Sequence, residues 1–152
     1  MKKSAGVLLY KYHDGEVLVF LAHPGGPFWK NKDVGAWTIP KGEFNDELPL
    51  QAAIREFEEE IGTKLHGDFL ALEPVKMKSG KTIYAFALQQ DVNADVISSN
   101  TFKIEWPPRS GKMTEFPEID KAAWFGVGEA MEKINSSQAG LIQQLVALLN
   151  NK

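Results

Sequence analysis

Apolar and β-branched residues form short runs separated by polar breaks along the N-terminal part of the chain. Two such runs, Ser4 to Tyr10 and Glu16 to Ala22, flank an Asp14-Gly15 pair that is typical of a hairpin turn. The pattern therefore predicts two adjacent strands. The Gly- and Pro-rich segment from His23 to Asp33 predicts a loop, and a short strand over Trp37 to Ile39 is expected after it.

The stretch from Pro40 to Gly62 begins with a Pro-Lys-Gly turn signal and continues as a charged, helix-favouring run that ends at Gly62. With about 3.6 residues per turn, the predicted helix has an apolar arc and, beside it, an acidic arc. The apolar arc contains Leu50, Ala53, Ile54, Phe57 and Ile61, and the acidic arc contains Glu56, Glu59 and Glu60.

The rest of the chain alternates strand-like runs with polar segments. The run from Lys81 to Gln89 carries apolar side chains on both faces, which favours a central sheet covered on each side by helices. Further strands are expected over Phe69 to Met77, Phe102 to Trp106 and Ala122 to Val127, with loops over Asp91 to Asn100 and Arg109 to Phe116. Helices are expected over Gly128 to Ile134 and, capped by Ser136 or Ser137, over Gln138 to Leu149.

Composition limits the class of protein. A length of 152 residues fits one domain, residues 1–152, and a formal net charge of -3 argues against non-specific attraction to nucleic acid or to anionic membranes. The chain has no cysteine, which excludes disulfides, thiol chemistry and zinc-cysteine clusters. The apolar run from Ala5 to Tyr10 is too short for a signal peptide or a membrane span. We therefore expect a cytoplasmic protein.

The acidic arc is the first candidate for chemistry. Like charges spaced three or four residues apart on an exposed helix repel by roughly 0.2–0.5 kcal/mol per pair, unless a cation lies among them. A hard divalent cation such as Mg2+ binds carboxylate oxygens and would turn this cost into a site. The alternative interpretation is a solvated acidic face, which is how we interpret Glu58 on the opposite side of the helix.

The residues around the acidic arc form a longer pattern. Arg55 directly precedes Glu56, Glu47 lies before a gap of seven residues that ends at Arg55, and Gly62 closes the helix. Together with the Pro-Lys-Gly loop, this stretch resembles the signature of the Nudix hydrolases. It departs from that signature at two points: only four residues separate Gly42 from Glu47, one fewer than in the family pattern, and Thr63 replaces an aliphatic residue.

The resemblance implies an α/β protein, a Nudix-type α/β/α sandwich with a central mixed β-sheet. It further implies hydrolysis by water of a diphosphate linkage in a nucleotide derivative, with Mg2+, or alternatively Mn2+, as the cofactor. The substrate would be a nucleoside triphosphate, a dinucleoside polyphosphate or a nucleoside diphosphate joined to another group. A capped RNA end is the only nucleic acid partner considered, no membrane partner is expected, and the oligomeric state stays open.

The alternative implied by the same resemblance is a non-catalytic, regulatory Nudix domain that binds a nucleotide. We favour the enzyme because such a domain is expected to have lost acids from the signature, whereas Glu56, Glu59 and Glu60 are all present. The Trp124-Phe125 pair before a short helix is a further point of similarity to the family.

Residue roles follow from the resemblance position by position. The metal ligands would be Gly42, through its backbone carbonyl, and Glu56, Glu59 and Glu60, one of which would activate water; we assign that role to Glu59. Arg55 would orient a carboxylate of the cluster, and Glu47 would support the loop through Arg55. A further glutamate from a distant loop is expected to act as the base or as a metal ligand. Glu115 and Glu118 are both available, and we prefer Glu118 for its position before Trp124.

Three residues are candidates for contact with the substrate. Lys41 and Arg109 are cationic and would meet phosphate, although solvated surface charge is the alternative for both. Trp37, with Phe28 and Trp29, would form an aromatic wall for a nucleobase. The alternative is that these rings pack in or at the edge of the core, as large aromatic side chains commonly do.

Overall fold

In the computed structural model, which describes residues 2–150, the first strand lies at the centre of the main sheet. β1 (Lys3–His13) pairs antiparallel with β2 (Glu16–Pro24) through the expected hairpin. The same edge of β1 also pairs antiparallel with β3 (Lys41–Phe44). The predicted Pro-Lys-Gly turn is therefore wrong in part, because Lys41 and Gly42 are strand residues whose backbone pairs with Gly6 and Ala5.

The acidic helix forms as predicted. α1 (Pro49–Ile61) starts with proline in its first turn, where the missing N–H has no helical partner to lose. It ends at Gly62, whose φ of 86° is in the left-handed region and whose N–H donates to the Glu58 carbonyl at 2.8 Å. The helix boundaries thus follow from two residues with special backbone properties.

The other edge of β1 is covered by a crossover strand. After β4 (Leu70–Ala71) and β5 (Val75–Lys76), the chain forms β6 (Thr82–Gln89), which runs parallel to β1 with Ala85 opposite Gly6. The strand predicted over Phe69 to Met77 is therefore two short strands, both paired with β6. Pro74 lies between them and has no N–H with which to continue the ladder.

A second, two-stranded sheet precedes the last strand of the main sheet. It consists of β7 (Thr101–Glu105) and β8 (Met113–Pro117). The loop predicted over Arg109 to Phe116 is therefore wrong from Met113 onward, where β8 begins. Exposed and half-buried residues alternate along β8, so its polar sequence resembles that of a loop. β9 (Ile119–Gly126) then pairs antiparallel with β2 and has a bulge opposite His23 and Pro24.

The chain ends with α2 (Val127–Lys133), a single 3₁₀ turn (Ser136–Gln138) and α3 (Ala139–Asn150). Asn135, rather than Ser136 or Ser137, caps the 3₁₀ turn: its side chain accepts a hydrogen bond from the Ser137 N–H at 2.9 Å. Within residues 2–150, no helix combines the length and the apolar character that crossing a bilayer requires.

The alternating side chains of β1 divide the core into two halves. Val7 and Leu9 pack with α1, whereas Leu8 and Tyr10 belong to the cluster that includes α2 and α3. Helices thus cover both faces of a sheet with parallel and antiparallel pairs. The prediction of an α/β/α sandwich with a central mixed sheet is confirmed.

Candidate active site

Glu60 is the most buried acid of α1. Its side chain is 7% exposed, and its Oε2 accepts a hydrogen bond from the Lys41 backbone N–H at 3.1 Å. Burial, followed by the nearby charges of Glu56 and Glu118, raises the pKa of Glu60 to about 8. In the absence of a cation the side chain is therefore mostly protonated at neutral pH.

Glu56 packs against the backbone of β3. A Cβ atom at Gly42 would lie 1.9 Å from the Glu56 Oε2, so only glycine allows the strand to approach this carboxylate so closely. Burial raises the pKa of Glu56, and the charges of Glu59 and Glu118 act in the same direction, while Arg55 opposes them. Gly42 is therefore in contact with the acidic cluster, next to the backbone amide that binds Glu60.

Arg55 links the acids of the helix to the loop before it. Its Nε and one terminal nitrogen donate to the two oxygens of Glu47 at 2.9 and 2.5 Å. The other terminal nitrogen donates to Glu56 at 2.9 Å and to Glu59 at 3.3 Å. The hydrogen bond to Arg55 lowers the pKa of Glu47. The guanidinium thus holds three carboxylates, as expected for a positioning residue.

The donor set fits a hard divalent cation in its chemistry. Glu56, Glu59, Glu60 and Glu118 supply carboxylate oxygens, the ligands that Mg2+ and Mn2+ prefer. Among residues 2–150, however, no three acidic or histidine side chains already converge as they would around an ion. Arg55 is hydrogen-bonded to Glu56 and Glu59, whereas Glu60 accepts from Lys41 N.

Glu118 lies between β8 and β9. Its backbone N–H donates to Asn100 and its carbonyl accepts from Gly25, both at 2.8 Å, while its side chain is exposed. Its charge raises the pKa of both Glu56 and Glu60, each to a smaller extent than burial does. Glu115 instead lies within β8, opposite Lys103. Of the two candidates, Glu118 is the one whose charge acts on the α1 acids.

Lys41 brings a cation to the same region. Burial, followed by the charge of Lys81, lowers its pKa, whereas Glu60, Glu43 and Glu56 oppose that shift. Lys81 itself forms an ion pair with Glu43 at 3.1 Å. Lys41 is therefore a partly desolvated amine close to the acids, and its contact with phosphate stays a prediction.

The structure corrects the placement of Trp37. Only 5% of the residue is exposed, and its ring packs edge-on against Phe125 at a centroid distance of 4.9 Å. Its indole N–H donates to Asp33 at 2.8 Å. Because the ring is covered, it offers no free face to a nucleobase. Trp37 also forms only an isolated bridge to Ile134, so the strand predicted over Trp37 to Ile39 is absent.

The described contacts of Arg109 lie in the β7–β8 hairpin rather than at the acidic cluster. Arg109 is exposed at the turn of the β7–β8 hairpin, where its φ is 61° and its N–H donates to Glu105 at 3.0 Å. No hydrogen bond or ion pair within residues 2–150 joins it to Glu56, Glu59 or Glu60. Its role as a phosphate contact stays a prediction.

Gln138 supports the site and was not identified from the sequence. Its side chain is 1% exposed, its Oε1 accepts from the Ile39 N–H at 3.0 Å, and it also pairs with the Thr38 hydroxyl. These bonds fix the segment that leads into β3. Because Gln138 and Ile39 are 99 residues apart in the sequence, no local sequence signal reveals this contact.

The fold and the acidic cluster together define a class: an α/β domain whose loop-helix unit packs on one face of a mixed sheet and places carboxylates beside β3. Residues 2–145 match the NUDIX domain family. The chain therefore belongs to the Nudix family. Comparison with curated protein sequences gives no significant match.

Three solved structures are similar over nearly the whole chain. An Ap4A hydrolase from C. elegans, solved as a binary complex, is 22% identical with a TM-score of 0.64, and 100% of each chain is covered. The NUDIX domain of Shewanella oneidensis NrtR, solved with ADP ribose, is 15% identical with a TM-score of 0.64, covering 97% of this chain and 87% of that one. A mutT/nudix family protein from Listeria innocua is 16% identical with a TM-score of 0.65, covering 99% and 94%. At these identities the similarity establishes the fold.

Proposed function

We propose that this protein is a divalent-cation-dependent hydrolase of a diphosphate linkage in a nucleotide derivative. The observation that carries the proposal is the contact of Glu60 and Glu56 with the Lys41-Gly42 backbone, where burial and the charge of Glu118 raise the pKa values of both acids. Carboxylates with raised pKa values in one cluster are typical of functional sites. A bound cation would favour the ionised form of both carboxylates, and the ionised form is the one that binds a cation.

The residues have distinct proposed roles. Glu56, Glu60 and the Gly42 carbonyl hold the cation, which when bound screens phosphate charge and lowers the pKa of water. Glu59, whose side chain is 43% exposed, accepts the proton from the attacking water. The water oxygen bonds to phosphorus while the bridging P–O bond breaks, and the leaving phosphate carries the electron pair away. Lys41 contacts phosphate oxygens.

Arg55 acts through the carboxylates that it binds. By holding Glu47 on one side and Glu56 and Glu59 on the other, it fixes the loop relative to the helix and limits the rotamers of the acids. Glu118 supplies a further carboxylate from outside the helix, as either a cation ligand or a second proton acceptor. The site is thus assembled from α1, β3 and the start of β9.

The substrate class is inferred from the family and its structural relatives. The C. elegans relative is an Ap4A hydrolase, and the NrtR domain was solved with ADP ribose. These two molecules and a nucleoside triphosphate therefore form the first panel of candidate substrates. Within the panel we favour the nucleoside triphosphate or the dinucleoside polyphosphate.

A regulatory, non-catalytic Nudix domain is the second candidate function. The observation that favours it is the hydrogen bonding of Glu56 and Glu59 by Arg55, with no ion-ready set of three acids in the described residues. On this alternative the protein binds a nucleotide without hydrolysing it. The two candidates differ in their dependence on Glu59, since a binder has no use for a proton acceptor.

The proposal is tested by measuring release of phosphate or nucleoside monophosphate from the panel with Mg2+ and with Mn2+. We expect Glu59→Gln and Glu60→Gln to lower kcat by about 10²-fold or more, the range typical of lost acid-base groups. Glu58→Gln is the matched control, because Glu58 lies on the same helix and the only described partners of its side chain are Leu65 N and Lys64. If wild type binds a nucleotide but hydrolyses none of the panel, the regulatory alternative is correct.

A further inference from the structure

A groove of about 510 Å³ lies between the loop that follows β2 and the β7–β8 hairpin. Its size is within the range of small-molecule sites, and it combines aromatic surface with a few polar groups, as such sites usually do. The residues that matter for the argument are Pro27, Lys30, Asn31, Trp106, Phe116 and Asp120. None of them has a role in the acidic cluster.

The two walls of the groove are in direct contact. The Gly25 N–H donates to the Glu118 carbonyl at 2.8 Å, and a Cβ atom at Gly25 would lie 2.0 Å from the Pro117 carbonyl oxygen. A Cβ atom at Gly26 would lie 2.8 Å from the Phe102 ring. The loop therefore packs closely on the hairpin. The groove wall at Pro117 directly precedes Glu118, whose charge acts on the acids of α1.

Trp106 provides a flat surface in this groove. It is half-buried, and Phe28 packs edge-to-face against it with the ring centroids 5.5 Å apart and the planes at 77°. Phe28 itself is 57% exposed, in a loop. A partly exposed aromatic pair beside a groove is poorly explained by core packing. It is well suited to stacking on a planar ligand, because every nucleobase has a π face.

The polar groups of the groove indicate which chemical groups such a ligand carries. One oxygen of Asp120 pairs with His23 at 2.8 Å, and within residues 2–150 no hydrogen bond reaches the other oxygen. A carboxylate oxygen accepts from an amino group and repels phosphate. Lys30, also on the groove wall, has the opposite preference. The groove thus has an acceptor for a base edge and a cation for phosphate.

We propose that this groove binds the nucleobase of the nucleotide substrate, with Trp106 as the stacking platform and Asp120 accepting from an exocyclic amino group. The inference rests on the proposed function for the identity of the ligand as a nucleotide. It predicts that adenine, guanine or cytosine nucleotides bind more tightly than uracil nucleotides, since uracil has no amino group. It also identifies Asp120, in β9, as the residue that determines base specificity, while the β7–β8 hairpin supplies the stacking ring.

The test is equilibrium binding by calorimetry, with AMP, UMP and ribose 5-phosphate as probes. Trp106→Ala should weaken AMP binding about tenfold or more, and Trp106→Phe should restore most of the affinity, because base stacking contributes on that scale. Ribose 5-phosphate, which has no base, should bind equally to all variants. Tyr12→Ala is the control: it removes an aromatic ring that is 49% exposed in β1 and does not line the groove.

Unchanged AMP affinity in a folded Trp106→Ala protein would overturn the inference, as would equal affinity of wild type for AMP and UMP. If Trp106→Ala does not fold, as judged by circular dichroism, Phe28→Ala replaces it. That change is in an exposed loop side chain and should weaken AMP binding several-fold, while full retention of AMP affinity would overturn the proposal.

Measuring both binding and hydrolysis distinguishes failure of this inference from failure of the proposed function. If no substrate is hydrolysed but AMP binding depends on Trp106, the proposed activity fails and the base site stands. If hydrolysis proceeds and Trp106→Ala leaves KM unchanged for every nucleotide, the activity stands and the base site fails. A KM increase without a change in kcat supports both, because the groove would then contribute binding alone.

Discussion

Arg55 and Glu47 form a two-point ion pair, with donor-acceptor distances of 2.9 and 2.5 Å, that ties the loop before α1 to the helix. The same guanidinium bonds Glu56 and Glu59. A planar fork with several donors can serve these carboxylates together, whereas the ammonium group of lysine is a single point charge. The pair therefore sets the position of the acids more than it sets the stability of the fold.

Arg55→Lys separates these two effects. Because Arg55 and Glu47 are 38% and 36% exposed, the free energy of unfolding should fall by only about 1 kcal/mol or less. We expect kcat for the hydrolysed substrate to fall about tenfold or more, since misplaced catalytic groups lose rate steeply. Urea denaturation and steady-state kinetics measure the two quantities. A variant with reduced stability but normal kcat would contradict the positioning role.

Gly42→Ala should damage the acidic cluster while leaving the sheet paired. The new methyl group would lie 1.9 Å from the Glu56 Oε2, so this carboxylate must move. We expect weaker Mg2+ binding and a kcat lowered about tenfold or more. Gly128→Ala is the matched control, because nothing lies within 4 Å of its Cβ position and the change in helix α2 should stabilise by up to about 1 kcal/mol. Equal kcat values in the two variants would refute the prediction.

Glu60 makes the stability of the cation-free protein depend on pH. Its pKa is raised from 4.5 to about 8, so between these values the folded state holds a proton that the unfolded state has lost. The free energy of unfolding should therefore fall as pH rises through this window, by an amount on the order of a few kcal/mol. Urea denaturation in EDTA at several pH values measures the slope.

Glu60→Gln should flatten this dependence, because glutamine does not titrate, whereas the Glu58→Gln control should retain it. Mg2+ should stabilise wild type more at high pH than at low pH, since only the ionised carboxylate binds the cation. Parallel pH profiles for wild type and Glu60→Gln would mean that burial does not perturb this acid.

Gln138→Met tests the support of the segment before β3. Methionine has a similar volume but no carbonyl oxygen, so the buried Ile39 N–H loses its partner. We expect a loss of about 1–3 kcal/mol in the free energy of unfolding. Gln144→Met, in α3, removes two exposed hydrogen bonds to the Glu73 backbone and should cost less. Thermal and urea unfolding of both variants provide the comparison, and equal losses would refute the special role of Gln138.

The sequence predicts well the strands and helices in which the spacing of apolar residues follows the buried face. β1, β6 and α1 carry apolar residues on the faces that pack, and their patterns identify them. β8 was missed because it pairs only with β7 and alternates between exposed and half-buried residues, so its composition resembles a loop. β3 was mistaken for a turn because Lys41 and Gly42 follow a proline, although pairing with β1 decides their conformation.

The acidic arc follows from helix spacing, since Glu56, Glu59 and Glu60 share one side of α1. The partners of these acids do not, because Lys41 N and Gly42 are brought to them by strand pairing. Trp37 illustrates the opposite case: a loop aromatic that suggests a ligand contact is covered by Phe125. Local pattern identifies which groups can react, and only tertiary packing decides which of them meet.

The pairing of two strands with one edge of β1 has a consequence for how the chain tolerates length changes. Gly42 lies opposite Ala5 in this ladder, and Ala5 lies opposite Tyr84 on the other edge. An extra residue inserted among the first residues of β1 would displace Gly42 from the Glu56 side chain that it accommodates. It would also exchange the two faces of the strand. Additions at the exposed turn formed by Asp95 and Val96 would spare this alignment. Engineering that lengthens or tags the protein internally should use that turn and leave the first strand intact.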